Sequence, residues 1–395
     1  MGQESRKRSL LHFFFLLIAF QLPFFYLSHR HIHDDEPAID LVTVGNENAT
    51  NISFNGSERV EFLHVSDRVF PRWNKPLPCY NVTIVRPKLG WHRAQNLKQP
   101  TKEGLFFVKL LKTGSTTGAS IHLRIARNLA KRRGVSPICR TRHLHGWAGR
   151  RMYNFGQRDL EHSFLWTLLR EPTPRYISEF FHFQVSRKNV SATDDNIIEF
   201  LRHGTHSDRH YLSWLTLRGY RKATSRVETT LQYILDDYDF MGILERLDES
   251  VVALQMILNV SLADVLSVSS KLNGGHDDGQ YQKKCFLIQP SFVSSGVQAF
   301  LESEEWQEYI GPEQALYNAV NRSLDRTIDA LGREIFAQKL LAYQQAMKAV
   351  SLRCQNVRFP CSESGERRSE TDCLAADMGC GFECLDQVSN ELNLW

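Results

Sequence analysis

Two turns about sixty residues apart carry side chains suited to holding oxyanions. The first is Lys112-Thr113-Gly114-Ser115-Thr116-Thr117, inside FFVKLLKTGSTTGASIHLRI (residues 106–125). Its glycine lets the backbone approach an anion, its hydroxyls donate hydrogen bonds, and its lysine brings a mobile positive charge. In the second, FLWTLLREPTPRYISEFFHF (residues 164–183), Arg170 closes an apolar run and Pro172 and Pro174 set a bend. Ser178 is expected near the start of the helix that follows. An arginine fork and a hydroxyl so placed suit a second, separate phosphate. Taken alone, the first turn reads equally well as a helix N-cap and Arg170 as a surface ion-pair residue. Taken together, the turns predict one ligand with phosphate at two ends. A Walker loop needs G-x-x-x-x-G-K-[ST]; here the lysine precedes the glycine and the first glycine is missing, which disfavours an ordinary nucleotide kinase.

Such turns need strands to deliver them and helices to follow. Residues 105–111 read as a buried strand with a helix over 114–133, 164–169 as a second strand with a helix over 174–187, and 239–244 as a third strand leading to a helix through Val251 and Leu254. This βα repetition predicts a parallel sheet with helices on both faces, and each strand-to-helix turn offers free N–H groups at a helix N-terminus. After Pro312 the chain is expected to be helical to about Val350, with Leu316, Val320, Leu324, Ile328 and Leu331 as core. The fold class is therefore α/β: a P-loop-like parallel sheet flanked by helices, with an N-terminal transmembrane helix and a Cys-rich C-terminal tail.

KTGSTT and LLREPTPRYISEFFHF resemble the two phosphate-binding segments of the membrane-bound Golgi carbohydrate sulfotransferases, including the heparan sulfate 2-O and 6-O and galactose 3-O enzymes. The resemblance spans roughly residues 105–354, with further similarity to the galactose 3-O branch at DFMGILERLDESVVAL and LYNAVNRSLDRTIDALG. It implies 3'-phosphoadenosine 5'-phosphosulfate as co-substrate and no required metal. By the same resemblance, Lys112, Thr113, Gly114, Ser115, Thr116 and Thr117 would hold the 5'-phosphosulfate, and Arg170 and Ser178 the 3'-phosphate. KLN in SVSSKLNGG resembles a galactose 3-O segment, so that a glycine-rich loop bearing Lys271 would close over the nucleotide; a plain surface loop is the alternative.

Sulfuryl transfer requires a base for the acceptor hydroxyl and positive charge for the transferring and departing groups. A histidine suits the first task and Lys112 the second. CRTRHLHGWAGRRMY, between the two turns, contains His143 and His145, and LHGW resembles the 6-O enzymes' histidine segment. His145 is therefore the expected base, with His143 as its alternative; loop hydrogen bonding, or a metal site with Cys139, are the competing roles. His122 is expected to be structural. HYL, containing His210, resembles a galactose 3-O segment near the acceptor, which makes Arg209 or His210 an acceptor contact.

Arg6, Lys7 and Arg8 precede an 18-residue apolar stretch, residues 10–27, which would span about 27 Å. Positive-inside logic makes 1–9 a cytoplasmic tip and 10–27 a type II signal anchor, favoured over a cleaved signal peptide because no A-x-A-like site follows. Residues 28–100 read as a lumenal stem whose later part, with Phe70, Trp73 and Trp91, packs on a catalytic domain over 101–350. Seven N-x-[ST] sequons suit a lumenal chain. Five of eight cysteines fall in 351–395, an expected disulfide-stapled tail with little apolar sequence of its own, favoured over a zinc site. The odd number there leaves Cys79, Cys139 or Cys285 to complete it, or one thiol free.

With 395 residues, 42% hydrophobic content and a net charge of +4, the chain can bury a large core and is not disordered, while its charge names no partner. Arg124, Arg127 and Lys131 share a helix face that is either solvated or an anionic-glycan contact. Arg150, Arg151, Arg218, Arg221 and Lys222 add local basic groups. No nucleic-acid motif accompanies them. The expected activity is sulfonate transfer to a glycan hydroxyl on the Golgi membrane; protein-tyrosine sulfation and a catalytically silent glycan-binding ectodomain are the rivals.

Overall fold

The computed structural model describes residues 65–77, 102–134, 141–145, 153–204, 211–217, 227–268 and 275–395, with the backbone alone for 141–145, 153–154 and 204. Four strands, β1 (Gly104–Lys109), β2 (Thr141–His145), β3 (Ser163–Leu169) and β4 (Phe240–Ile243), form one parallel sheet in the order β2-β1-β3-β4. β1, β3 and β4 are buried along their lengths, which is why they read as nearly continuous apolar runs. β2, TRHLH, escapes that signal because it has only one apolar residue.

Helices flank the sheet. α1 (Ser115–Arg132) follows β1, α2 (Pro172–Phe180) follows β3, and α3 (Leu247–Leu258) follows β4. α1 approaches β1 closely because Gly118 carries no side chain; a Cβ there would lie 2.5 Å from Phe107 Cζ. The strand order fixes where a ligand can bind. From β1 the chain moves out to β2 on one side and then crosses to β3 on the other, so the β1–β3 boundary is the switch point at which the loops diverge and leave a crevice.

The single helix expected after Pro312 is two helices, α4 (Glu304–Leu331) and α5 (Arg333–Arg353), broken at Gly332 with φ 96. α4 also starts ahead of the proline: Ser303 caps it by accepting from Trp306 N, and buried Trp306 and Ile310 anchor its first turns. Packing thus carries the helix past a residue that ordinarily ends one.

Residues 65–77, the end of the expected stem, lie on this body. Phe70 meets Phe240 edge-on at 5.4 Å and Trp73 meets Phe164 at 5.5 Å, while Arg68 N and Phe70 N donate to Ser323 Oγ and Thr327 Oγ1 of α4.

Three disulfides, Cys285–Cys361, Cys354–Cys384 and Cys373–Cys380, account for all described cysteines, with Cys285 completing the odd set. Bonded thiols are not zinc ligands, so a zinc site in the tail is ruled out. The tail also has more core than its sequence suggested: Met378 and, from α6 (Phe382–Glu391), Phe382, Leu385 and Val388 join the main apolar cluster. It recruits α1 as well. Arg124 is buried, donating to Ala263 O at 2.7 Å and Asp386 Oδ1 at 3.0 Å, and Arg127 pairs with the same carboxylate. α6 thus holds Arg124 and Arg127 of that basic face, while Lys131 stays exposed, 3.8 Å from the same carboxylate.

Among the described residues no helix is long and apolar enough to cross a membrane. Residues 10–27 lie outside them, as do Trp91, Cys79, Cys139, Arg150, Arg151, Arg209, His210, Arg218, Arg221, Lys222 and Lys271.

Candidate functional site

The first turn leaves the carboxyl end of β1. Lys112 and Gly114 are both left-handed, with φ 61 and 68, on either side of Thr113. Glycine adopts that conformation freely, but lysine does so at a cost of the kind that gathers at ligand sites. Thr113 Oγ1 donates back to Leu110 O at 3.2 Å and tightens the bend. Gly114 is the N-cap residue of α1, no side chain caps the helix, and its first turn holds no acidic residue. That sets aside the plain N-cap role for the hydroxyls. The positive end of α1 and its first N–H groups are left for something else to satisfy.

The hydroxyls point the same way. Ser115 Oγ and Thr116 Oγ1 are buried with no hydrogen-bond partner among the described residues. Each such group costs roughly 1–3 kcal/mol when left unbonded, so native folds keep them where a ligand or water completes the bond. Thr117 is half-buried in the same helical turn.

The second turn leaves the carboxyl end of β3. Arg170 directly follows the strand, is 6% exposed, and donates from Nη1 to Lys112 O at 3.3 Å. The two motifs therefore touch at the β1–β3 switch point. Pro172 opens α2 at the position where its missing N–H removes no bond. Ser178 falls in the last turn of α2, not near its start as expected, because the helix begins at Pro172; it is buried.

His145 is the last residue of β2 and lies in register with Lys109, at the carboxyl edge from which the Lys112 turn departs; His143 is in register with Phe107, further from that edge. His122 is fully buried in α1 and accepts from Trp166 Nε1 at 3.3 Å. Burial pushes its pKa down to about 3, so it stays neutral and structural.

No family model, curated protein or solved structure matches this chain. The chemistry must then be taken from the residues themselves. A buried guanidinium, an uncapped helix start and two unbonded hydroxyls, all at one switch point, can hold a ligand with more than one anionic group.

Five residues of this neighbourhood were assigned no role from the sequence. Leu244 packs over Gly114, and Tyr211 bonds the Arg170 backbone from a distant short helix. Glu171 N donates to Glu245 Oε1 at 2.9 Å, and Tyr317 O–H donates to Glu245 Oε2 at 3.1 Å. Burial, with Glu245 adding repulsion, pushes the Glu171 carboxyl up against the opposing pull of Arg170. Glu171 could have been found by its place next to Arg170, and Tyr211 by its place in HYL.

Proposed function

We propose that this protein is a sulfotransferase that moves a sulfonate from 3'-phosphoadenosine 5'-phosphosulfate to a hydroxyl of a glycan, either a galactose-containing glycan or a glycosaminoglycan. The observation that carries this reading is the 3.3 Å contact of Arg170 Nη1 with Lys112 O, beside hydroxyls of Ser115 and Thr116 that have no partner among the described residues. A phosphate loop of P-loop type at β1 would hold one end of the doubly phosphorylated co-substrate. Arg170, with Ser178, would hold the other.

The roles follow from chemistry. His145, or His143 in its place, takes the proton of the acceptor hydroxyl as its oxygen bonds to sulfur. The bond from sulfur to the bridging phosphate oxygen breaks in line, and adenosine 3',5'-bisphosphate departs. Lys112 and the start of α1 offset the charge that grows on the departing phosphate. Residues 10–27 would anchor the enzyme in the Golgi membrane with its catalytic domain lumenal.

The test is incubation of the full-length chain with sulfur-labelled co-substrate and a panel of galactose-terminated glycans, glycosaminoglycans and tyrosine peptides. Label is expected on a glycan. Label on peptides alone would reassign the protein to tyrosine sulfation, glycan binding without co-substrate binding to a silent lectin-like role, and preferential ATP binding to a kinase.

A further inference from the structure

Arg170 is held by a residue outside both phosphate-binding turns. The Tyr211 hydroxyl accepts from Arg170 N at 3.1 Å and donates to Arg170 O at 2.7 Å, so one oxygen grips both polar atoms of that residue's backbone. Tyr211 is itself fixed. Its N–H donates to Glu313 Oε1 at 2.9 Å, Glu313 is paired with Arg175 Nη2 at 3.3 Å, and Arg175 lies 5.0 Å from the Tyr211 ring centre. Tyr176 O–H and Glu179 complete the network, and Arg175, Tyr176, Glu179, Tyr211 and Glu313 are all buried. Burial pushes the Tyr211 phenol well above its ordinary range, so the O–H needed for the second bond is retained.

A hydroxyl tied to both the N–H and the C=O of a residue sets the direction in which that residue's side chain leaves the backbone. We infer that Tyr211 is a positioning residue for the Arg170 fork and thereby sets the preference of the site for a 3'-phosphorylated nucleotide. This rests on the sulfotransferase reading, in which Arg170 meets the 3'-phosphate. Buried charge networks can also serve stability alone, and a stability role would weaken all ligands alike.

The experiment titrates the full-length chain with adenosine 3',5'-bisphosphate and with adenosine 5'-monophosphate. Tyr211→Phe is expected to bind the bisphosphate about tenfold more weakly and the monophosphate unchanged, and to add no further loss in an Arg170→Ala background. Equal losses for both ligands, no loss, or losses that add to those of Arg170→Ala would overturn the inference. If Tyr211→Phe does not fold, Glu313→Gln, which keeps an acceptor for Tyr211 N–H, is read in the same titrations with a smaller loss confined to the bisphosphate. A wild-type chain that does not distinguish the two nucleotides would instead sink the sulfotransferase reading, and this inference with it.

Discussion

Leu244 occupies the space that a side chain at Gly114 would need: its Cδ1 lies 2.5 Å from where a Cβ would stand, and the φ of 68 is one that only glycine adopts without strain. Leu244 ends the third βα crossing, so β4 and its loop help to shape the anion turn. Gly114→Ala is expected to destabilise the fold by about 1–3 kcal/mol and to weaken binding of adenosine 3',5'-bisphosphate severely. Thermal unfolding and titration check both. Adding Leu244→Ala relieves the contact but not the backbone strain, and should restore binding only in part.

Lys112→Ala and Arg170→Ala are each expected to abolish sulfonate transfer while leaving unfolding temperatures close to wild type. Loss of the Arg170 fork removes a charge-assisted contact, a change of roughly 1.5–3 kcal/mol or about 10- to 100-fold in bisphosphate affinity. Undiminished bisphosphate binding by Arg170→Ala would remove that residue from the 3'-phosphate.

His145→Ala is expected to lower turnover by about 10²–10⁴-fold with little change in nucleotide affinity, as the proposed base role requires. His143 lies further from the carboxyl edge, and its alanine variant should fall less. Full turnover by His145→Ala would transfer the role elsewhere.

Asp386 holds two arginines of α1, and Arg124 is completely buried beside it. Burial, with the neighbouring Arg127 charge adding to it, lowers the Arg124 pKa to about 10 against the pull of Asp386, so the guanidinium remains charged at neutral pH. Asp386→Ala would leave that charge uncompensated and should cost roughly 3–5 kcal/mol, measured by denaturant unfolding. A loss below about 1 kcal/mol would mean that Ala263 O and Ser389 suffice.

His122 gives the fold an acid sensitivity. Its pKa is about 3 in the folded chain against 6.5 ordinarily, so between those values the unfolded chain binds a proton that the folded chain does not. The stability it contributes is fully present above pH 6.5 and is lost as pH falls through that window, by about 2 kcal/mol at pH 5. Denaturant unfolding at pH 7.5 and pH 5 should show His122→Gln losing less stability on acidification than wild type. Equal losses would assign the acid sensitivity to other groups.

Much of the scaffold was legible because its signals are local. Apolar runs long enough to be buried marked β1, β3 and β4, and the residues closing them marked the two turns. β2 was not legible because TRHLH has one apolar residue, whereas β4, the other edge strand, is apolar and buried throughout. The start of α4 was missed because Ser303 and buried Trp306 outweigh Pro312, a balance that only packing decides. The pairing of Arg124 and Arg127 with the tail was hidden for the same reason, since Asp386 lies more than 250 residues away in sequence.

The order of residues by itself determined that a lysine- and hydroxyl-bearing turn ends one strand and an arginine ends another, because side-chain type and apolar periodicity are properties of a single segment. Tertiary structure alone decided that the turns meet. Contact between Arg170 and Lys112 requires β1 and β3 to be neighbours, and Tyr211 and Leu244 reach the site only through the crossings that make them so. Strand order is set by how the whole chain buries its apolar faces, which no short segment encodes.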